Sequence, residues 1–202
     1  MSGAWEVELT GLSSLRMDSA EIRRAAAIAV NRIARDGRAL AAREIRDQVN
    51  LPAKYLTPAG GRLTVIQRAT AANPTSVIRG RGRPTSLAQY VQGNPKPSVP
   101  GVYLEVAPGR VRFMSRAFLI RLRSGGELTD TKFNMGLAIR LRKGERLSNK
   151  TNFTKTKDGL YLMYGPSVDQ VFLSNDGKGV AAEIAPDLVG RLQREFERTL
   201  RL

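Results

Sequence analysis

The sequence predicts an α+β protein: a long N-terminal helix and a C-terminal helix packed on a mostly antiparallel sheet, with extended loops or arms. Three observations predict it. A proline-free, alanine- and arginine-rich stretch of some thirty residues follows Asp18, an unbroken i+4 apolar series ends the chain, and short apolar segments set off by glycine and proline lie between. The chain has 202 residues and is 42% hydrophobic, enough for one ordinary core; only 6% is aromatic, so that core rests on aliphatics and alanine.

Trp5-Glu6-Val7-Glu8-Leu9-Thr10 alternates strictly, as in a half-buried strand with Trp5, Val7 and Leu9 on one face, and Gly11 ends it. Asp18 with Glu21 forms a capping box for the first helix. Its apolar face carries Ile22, Ala26, Ala29, Ile33 and Leu40, and Ile45 and Val49 continue an adjacent stripe. Gly37 is a point where the helix can bend, and Leu51-Pro52 ends it. After the turn cluster Thr57-Pro58-Ala59-Gly60-Gly61, Leu63 to Arg68 alternates as a strand, and Thr75 to Arg79, set off by Asn73-Pro74, completes a hairpin.

Residues 93–101 hold Pro95, Pro97 and Pro100 in a polar run, which reads as a loop or extended arm. A second hairpin runs from Val102 through the turn Ala107-Pro108-Gly109 to Met114. A strand over Leu137 to Leu141 follows, then a polar loop at 143–159 with Phe153 its only aromatic. Leu160 to Tyr164 is apolar and meets a Gly165-Pro166 turn before a second apolar stretch. The last helix carries Val180, Ile184, Leu188, Leu192, Phe196 and Leu200, and Pro186 either starts or kinks it.

The net charge is +15 and uneven. Residues 62–126 hold eleven basic residues against one acid, Glu105, whereas the first 61 residues hold nine basic and seven acidic, and residues 159–202 five and six. Such a field attracts polyanions without identifying them. With no histidine and no cysteine, disulfides, thiolate chemistry, Ser-His-Asp catalysis and histidine-containing metal sites are excluded. No apolar run approaches the roughly 20 residues that span a bilayer, and the N-terminus lacks the basic region of a secretory signal. The chain is expected to be cytosolic when made and to lack catalytic, cofactor, metal, membrane and small-molecule sites.

The densest basic run is Arg79-Gly80-Arg81-Gly82-Arg83. Its glycines would let backbone approach a phosphate chain and its arginines bind it in bidentate fashion. A strand end turning into a loop with solvated arginines would read the same way. Arg110 and Arg112 share one face of a strand, Val111 and Phe113 the other, and Arg121 and Arg123 repeat the spacing. These seven arginines are the candidate contacts to nucleic acid or an acidic partner; ordinary alternation in a half-buried strand accounts for the pattern as well. Carboxylate pairs such as Glu44 and Asp47 lie beside arginines, as surface ion pairs of a helix do.

Four segments occur in an order and spacing that resemble the prophage minor tail protein Z (tail-completion) family of long-tailed phages. They are the alanine-rich 25–34 with its Asn31-Arg32; residues 81–90 with Pro84, Leu87 and Tyr90; Ala117-Phe118-Leu119-Ile120 with the strand ending in Arg140; and Tyr164-Gly165-Pro166-Ser167-Val168 with Gln170-Val171. The resemblance covers most of the chain and departs at 93–101 and 143–159. It implies a single tail-completion-type domain over 1–202 and a virion component at the head-proximal end of the tail or neck, without catalysis or cofactor. It also implies a homo-oligomeric ring, six copies fitting the usual tail symmetry, that contacts tail terminator, tube or connector proteins and the genome end. Pro84, Leu87, Tyr90, Phe118, Tyr164, Gly165, Pro166 and Val168 are the expected subunit interface. A stand-alone basic nucleic-acid-binding protein is the competing expectation.

Overall fold

The computed structural model describes residues 20–122, 135–147, 152–174 and 178–200, so the segment 5–10, the cap at Asp18 and Arg123 lie outside the described residues. The described residues form two compact units. A helical unit takes in the described residues within 1–45, 53–82 and 168–202, and a sheet unit those within 46–52 and 83–167.

In the helical unit, α1 spans Ala20–Gln48, with Glu21 in its first turn and Arg46 in its last, each placed to complement the helix dipole. The expected face is the buried one at Ala26, Ala29 and Ile33, extended by Val30, Ala34, Ala41 and Ile45. Gly37 sits within an uninterrupted helix. It is buried because Leu188 and Ile78 close on it, a methyl there falling 2.8 Å from a Leu188 methyl. The expected hairpin is present as β1 (Leu63–Gln67) and β2 (Val77–Gly80), antiparallel with a register shift between Val65 and Gln67.

Two further helices complete this unit. The apolar stretch after Pro166 is a short helix, α2 (Val168–Leu173), and α3 runs Val180–Leu200. Pro186 therefore lies inside α3 rather than at its start. Val180, Ile184, Leu188 and Leu192 are buried as the i+4 series predicts, while Leu200 at the far end is exposed. The helices pack on the hairpin through Ile33, Ile78, Phe172, Ile184 and Leu188. Arg32 of α1 reaches Glu195 of α3 at 3.2 Å.

The sheet unit holds β3 (Thr85–Ser86), a 3-10 turn at Leu87–Tyr90, β4 (Val102–Glu105), β5 (Val111–Met114), β6 (Phe118–Arg121), β7 (Met135–Arg140), β8 (Phe153–Lys155) and β9 (Leu160–Gly165). Five of the strands form an antiparallel sheet ordered β3-β9-β7-β6, with β8 also on β9. β4 and β5 form a separate two-stranded ribbon.

Two expected irregular segments are more ordered than their composition suggests. Part of the polar loop is a strand: Phe153–Lys155 pairs with β9 around a turn in which Gly159, at φ 72°, donates to the Thr156 carbonyl. β-Branched and aromatic residues at 153 and 154 outweigh the lysines around them. The proline-rich run is irregular, as prolines require, but its later half is fastened. Ser98 donates its amide to Leu119 O at 2.8 Å and Gly101 to Ala117 O at 3.0 Å.

Candidate macromolecular interface

Arg79 and Arg81 belong to the helical unit, and Arg83, Arg110, Arg112 and Arg121 to the sheet unit. Arg79, Arg83, Arg110, Arg112 and Arg121 are exposed and Arg81 is half-buried. Gly80, the first of the glycines between these arginines, has a local cause. Asp169 of α2 donates its amide to Arg81 O at 3.2 Å, and a methyl on Gly80 would lie 2.8 Å from the Asp169 Cα and 3.0 Å from its nitrogen. The space at Gly80 is thus filled by α2, which ties β2 to that helix. Burial raises the Asp169 carboxyl above its ordinary range, against the opposing pull of Arg79.

On β5 the residues alternate as expected, and the face that carries Val111 and Phe113 is exposed. The face that Arg112 shares with Leu104 and Val102 is the one whose apolar members are buried. The other face, with Tyr103, Val111 and Phe113, is exposed at 57%, 54% and 57%. Tyr103 and Phe113 are cross-strand partners whose ring centroids lie 4.9 Å apart. Alternation alone could not tell which face meets the core.

The segments expected at a subunit interface partly come together. Thr85 pairs with Gly165 and Ser86 with Tyr164, so residues 81–90 and 164–165 meet across β3 and β9. A methyl on Gly165 would lie 2.9 Å from Leu87 Cδ2 and 3.5 Å from Tyr90 Cε2, so these side chains close over that glycine. Phe118 pairs with Ala138 on β7. Pro84 is exposed, and Leu87, Phe118, Tyr164, Gly165 and Pro166 are half-buried. Tyr90 and Val168, each 1% exposed, correct the expectation: side chains enclosed to that degree are core and present no surface to another subunit.

One basic site was not visible in the sequence. Arg35 and Arg38 of α1 and Arg68 after β1 converge with Asn31, Pro58, Thr64 and Val65 on a groove of about 470 Å³ whose lining holds no acid. Arg38 Nη1 donates to Leu56 O at 2.9 Å, and burial lowers its pKa from the ordinary value, though an arginine stays cationic. The i,i+3 spacing of Arg35 and Arg38 puts both on one helix face, but only the hairpin brings Arg68 to them.

Among the described residues no cluster of three acidic side chains could hold a metal ion, and no helix is long and apolar enough to cross a membrane. No family model, no curated protein and no solved structure matches this chain.

Proposed function

We propose that this chain is a structural virion protein of a phage tail. In this reading it completes the head-proximal end of the tail or neck and helps join tail to head or position the genome end. It works as a subunit of a homo-oligomeric ring, without chemistry of its own. The ordered segments that resemble the tail-completion family supply the biological setting. The observation that carries an assembly role is the acid-free arginine groove at Arg35, Arg38 and Arg68. Its cationic groups sit on a helix and beside a strand, which hold them in place for a phosphate backbone or for carboxylates of a neighbouring protein.

The test is made in the phage that encodes the chain. Arg35 and Arg68 are replaced by Ser, and complete tails are counted by electron microscopy. Normal tails that fail to deliver DNA identify a genome contact, and absent or unjoined tails a protein contact. Normal, infectious particles, or antibody labelling away from the head-proximal end, would overturn the reading.

The same groove favours one rival, a stand-alone nucleic-acid-binding protein. That rival requires tight DNA or RNA binding by the purified chain, falling steeply with salt. The tail reading requires weak binding by the isolated chain and a fixed place in the particle.

A further inference from the structure

Phe153, the single aromatic of the polar 143–159 stretch, stands on β8 rather than in a loop. The register sets Phe153 opposite Met163 of β9 and Lys155 opposite Tyr161. Directly opposed residues of antiparallel strands share a face, so Phe153, Lys155 and Tyr161 stand on one face of the sheet. The two aromatic residues are diagonal neighbours there, with Lys155 next to both.

These three residues line a groove of about 670 Å³, whose lining also takes in Glu145 and Arg146. A volume of that size suits a ligand of nucleotide dimensions. Phe153 and Tyr161 are half-buried, which leaves part of each side chain open, and Arg146 and Lys155 are exposed. Glu145 is the one acid in the described lining, and its carboxylate is already taken up. Arg116 donates to it at 2.8 and 2.7 Å and the Arg142 amide at 2.8 Å. Among the described residues no carboxylate pairs with Arg146 or Lys155. Two aromatic surfaces and two cations therefore face one concavity.

We infer that this groove binds single-stranded nucleic acid, with Phe153 and Tyr161 stacking on successive bases and Lys155 and Arg146 meeting the phosphates that link them. Every base has a π-face that an aromatic ring can cover, and a strand carries a negative charge at each link. A duplex does not suit the site, because stacking on its neighbours already covers the faces of its bases. A carboxylate-rich peptide would satisfy the cations but leave both rings without stacking partners. Two bases make a weak site by themselves, so the inference does not require the tight binding of the stand-alone rival. It goes beyond the tail reading and is separate from the arginine groove, since it concerns the sheet unit and single strands and is read on the purified protein.

The full-length parent is titrated by fluorescence anisotropy with two labelled strands, a deoxyadenosine octamer and an abasic strand of the same length and charge. The base-bearing strand should bind at least about tenfold more tightly, as stacking on two rings requires. Phe153→Leu with Tyr161→Leu should remove that preference while the circular dichroism and the affinity for the abasic strand stay as in the parent. Lys155→Gln with Arg146→Gln should weaken binding to both strands and reduce the slope of log affinity against log salt by about 1.4, roughly 0.7 for each lost phosphate contact. Arg35→Ser with Arg68→Ser should leave the preference in place, so this inference and the tail reading fail separately. An abasic strand bound as tightly as the base-bearing one would overturn the inference without recourse to any variant. So would a preference that survives both leucines, or one that disappears with Arg35 and Arg68 replaced. A peptide of glutamate and tryptophan that binds more tightly than the base-bearing strand, and loses that binding in the leucine variant, would assign the groove to an acidic protein instead.

Discussion

Asn31 in the middle of α1 grips Ala69 with both ends of its amide: Nδ2 donates to the Ala69 carbonyl at 2.8 Å, and Oδ1 accepts the Ala69 amide at 2.9 Å. The Ser76 hydroxyl closes the network, accepting from the same amide and donating to Asn31 Oδ1, each at 3.0 Å. Asparagine is a poor helix-interior residue, so its place here follows from pairing backbone that the hairpin leaves exposed. Asn31→Ala leaves the carbonyl of buried Ala69 without its partner and its amide with Ser76 alone, and is expected to cost about 1–3 kcal/mol, a small gain in helix propensity included. A urea midpoint equal to the parent's, followed by circular dichroism, would refute this staple.

Gly80 and Gly82 look equivalent in the arginine–glycine run but differ in surroundings. Gly80→Ala drives a methyl into the Asp169 backbone, which cannot swing away, whereas the nearest atom to a methyl at Gly82 is Asp169 Oδ2 at 4.0 Å. Gly80→Ala should destabilise by about 1–3 kcal/mol, as overpacking does, and Gly82→Ala by under about 0.5. Thermal melts of the two variants compare them directly. If the glycines instead serve close phosphate approach, Gly82→Ala leaves the melt alone and weakens polyanion binding.

The elements with a long period were readable from the sequence; their environment was not. Ala26, Ala29 and Ile33 marked the buried face of α1, and Ile184, Leu188 and Leu192 that of α3, because a helix repeats its pattern over many turns. Both hairpins were legible from Asn73-Pro74 and Pro108-Gly109 between alternating runs. β8 was hidden because three residues flanked by lysines carry too little pattern, and β9 supplies their pairing. α2 was hidden because six residues hold less than two helical turns of pattern. For the candidate surfaces, the exposed arginines followed from composition, but two facts needed three dimensions: Arg68 beside Arg35, and Phe113 facing outward while Leu104 faces in.

Glu145 gives a pH-dependent prediction. Arg116 grips its carboxylate at 2.8 and 2.7 Å, the Arg142 amide adds a bond at 2.8 Å, and together they lower its pKa from 4.5 to about 2. A depressed carboxyl pKa stabilises the fold above the unfolded value and loses that contribution as pH falls through the folded one. The stability contributed by the Arg116–Glu145 clasp is therefore fully present at neutral pH and is lost progressively between about pH 4.5 and about 2. Titration of the Glu145 carboxyl by carbon NMR should give a midpoint about 2, returning toward the ordinary glutamate range in Arg116→Gln. Because both side chains are exposed, added salt should raise the parent's midpoint.

The arginine groove separates a binding role from a structural one within three residues. Arg38 holds the Leu56 carbonyl, so Arg38→Ala is expected to lower stability whatever else it does. Arg35 and Arg68 line the same groove and are exposed, so replacing them with Ser should leave the melt near the parent's. If they meet phosphates, the double variant should weaken binding to duplex DNA of any sequence. It should also reduce the slope of log affinity against log salt by about 2, roughly one for each lost contact. A reduced slope with an unchanged melt would place phosphates in this groove. An unchanged slope would move any polyanion contact to Arg79, Arg83 or the Arg110–Arg112 edge, where the same measurement can be repeated.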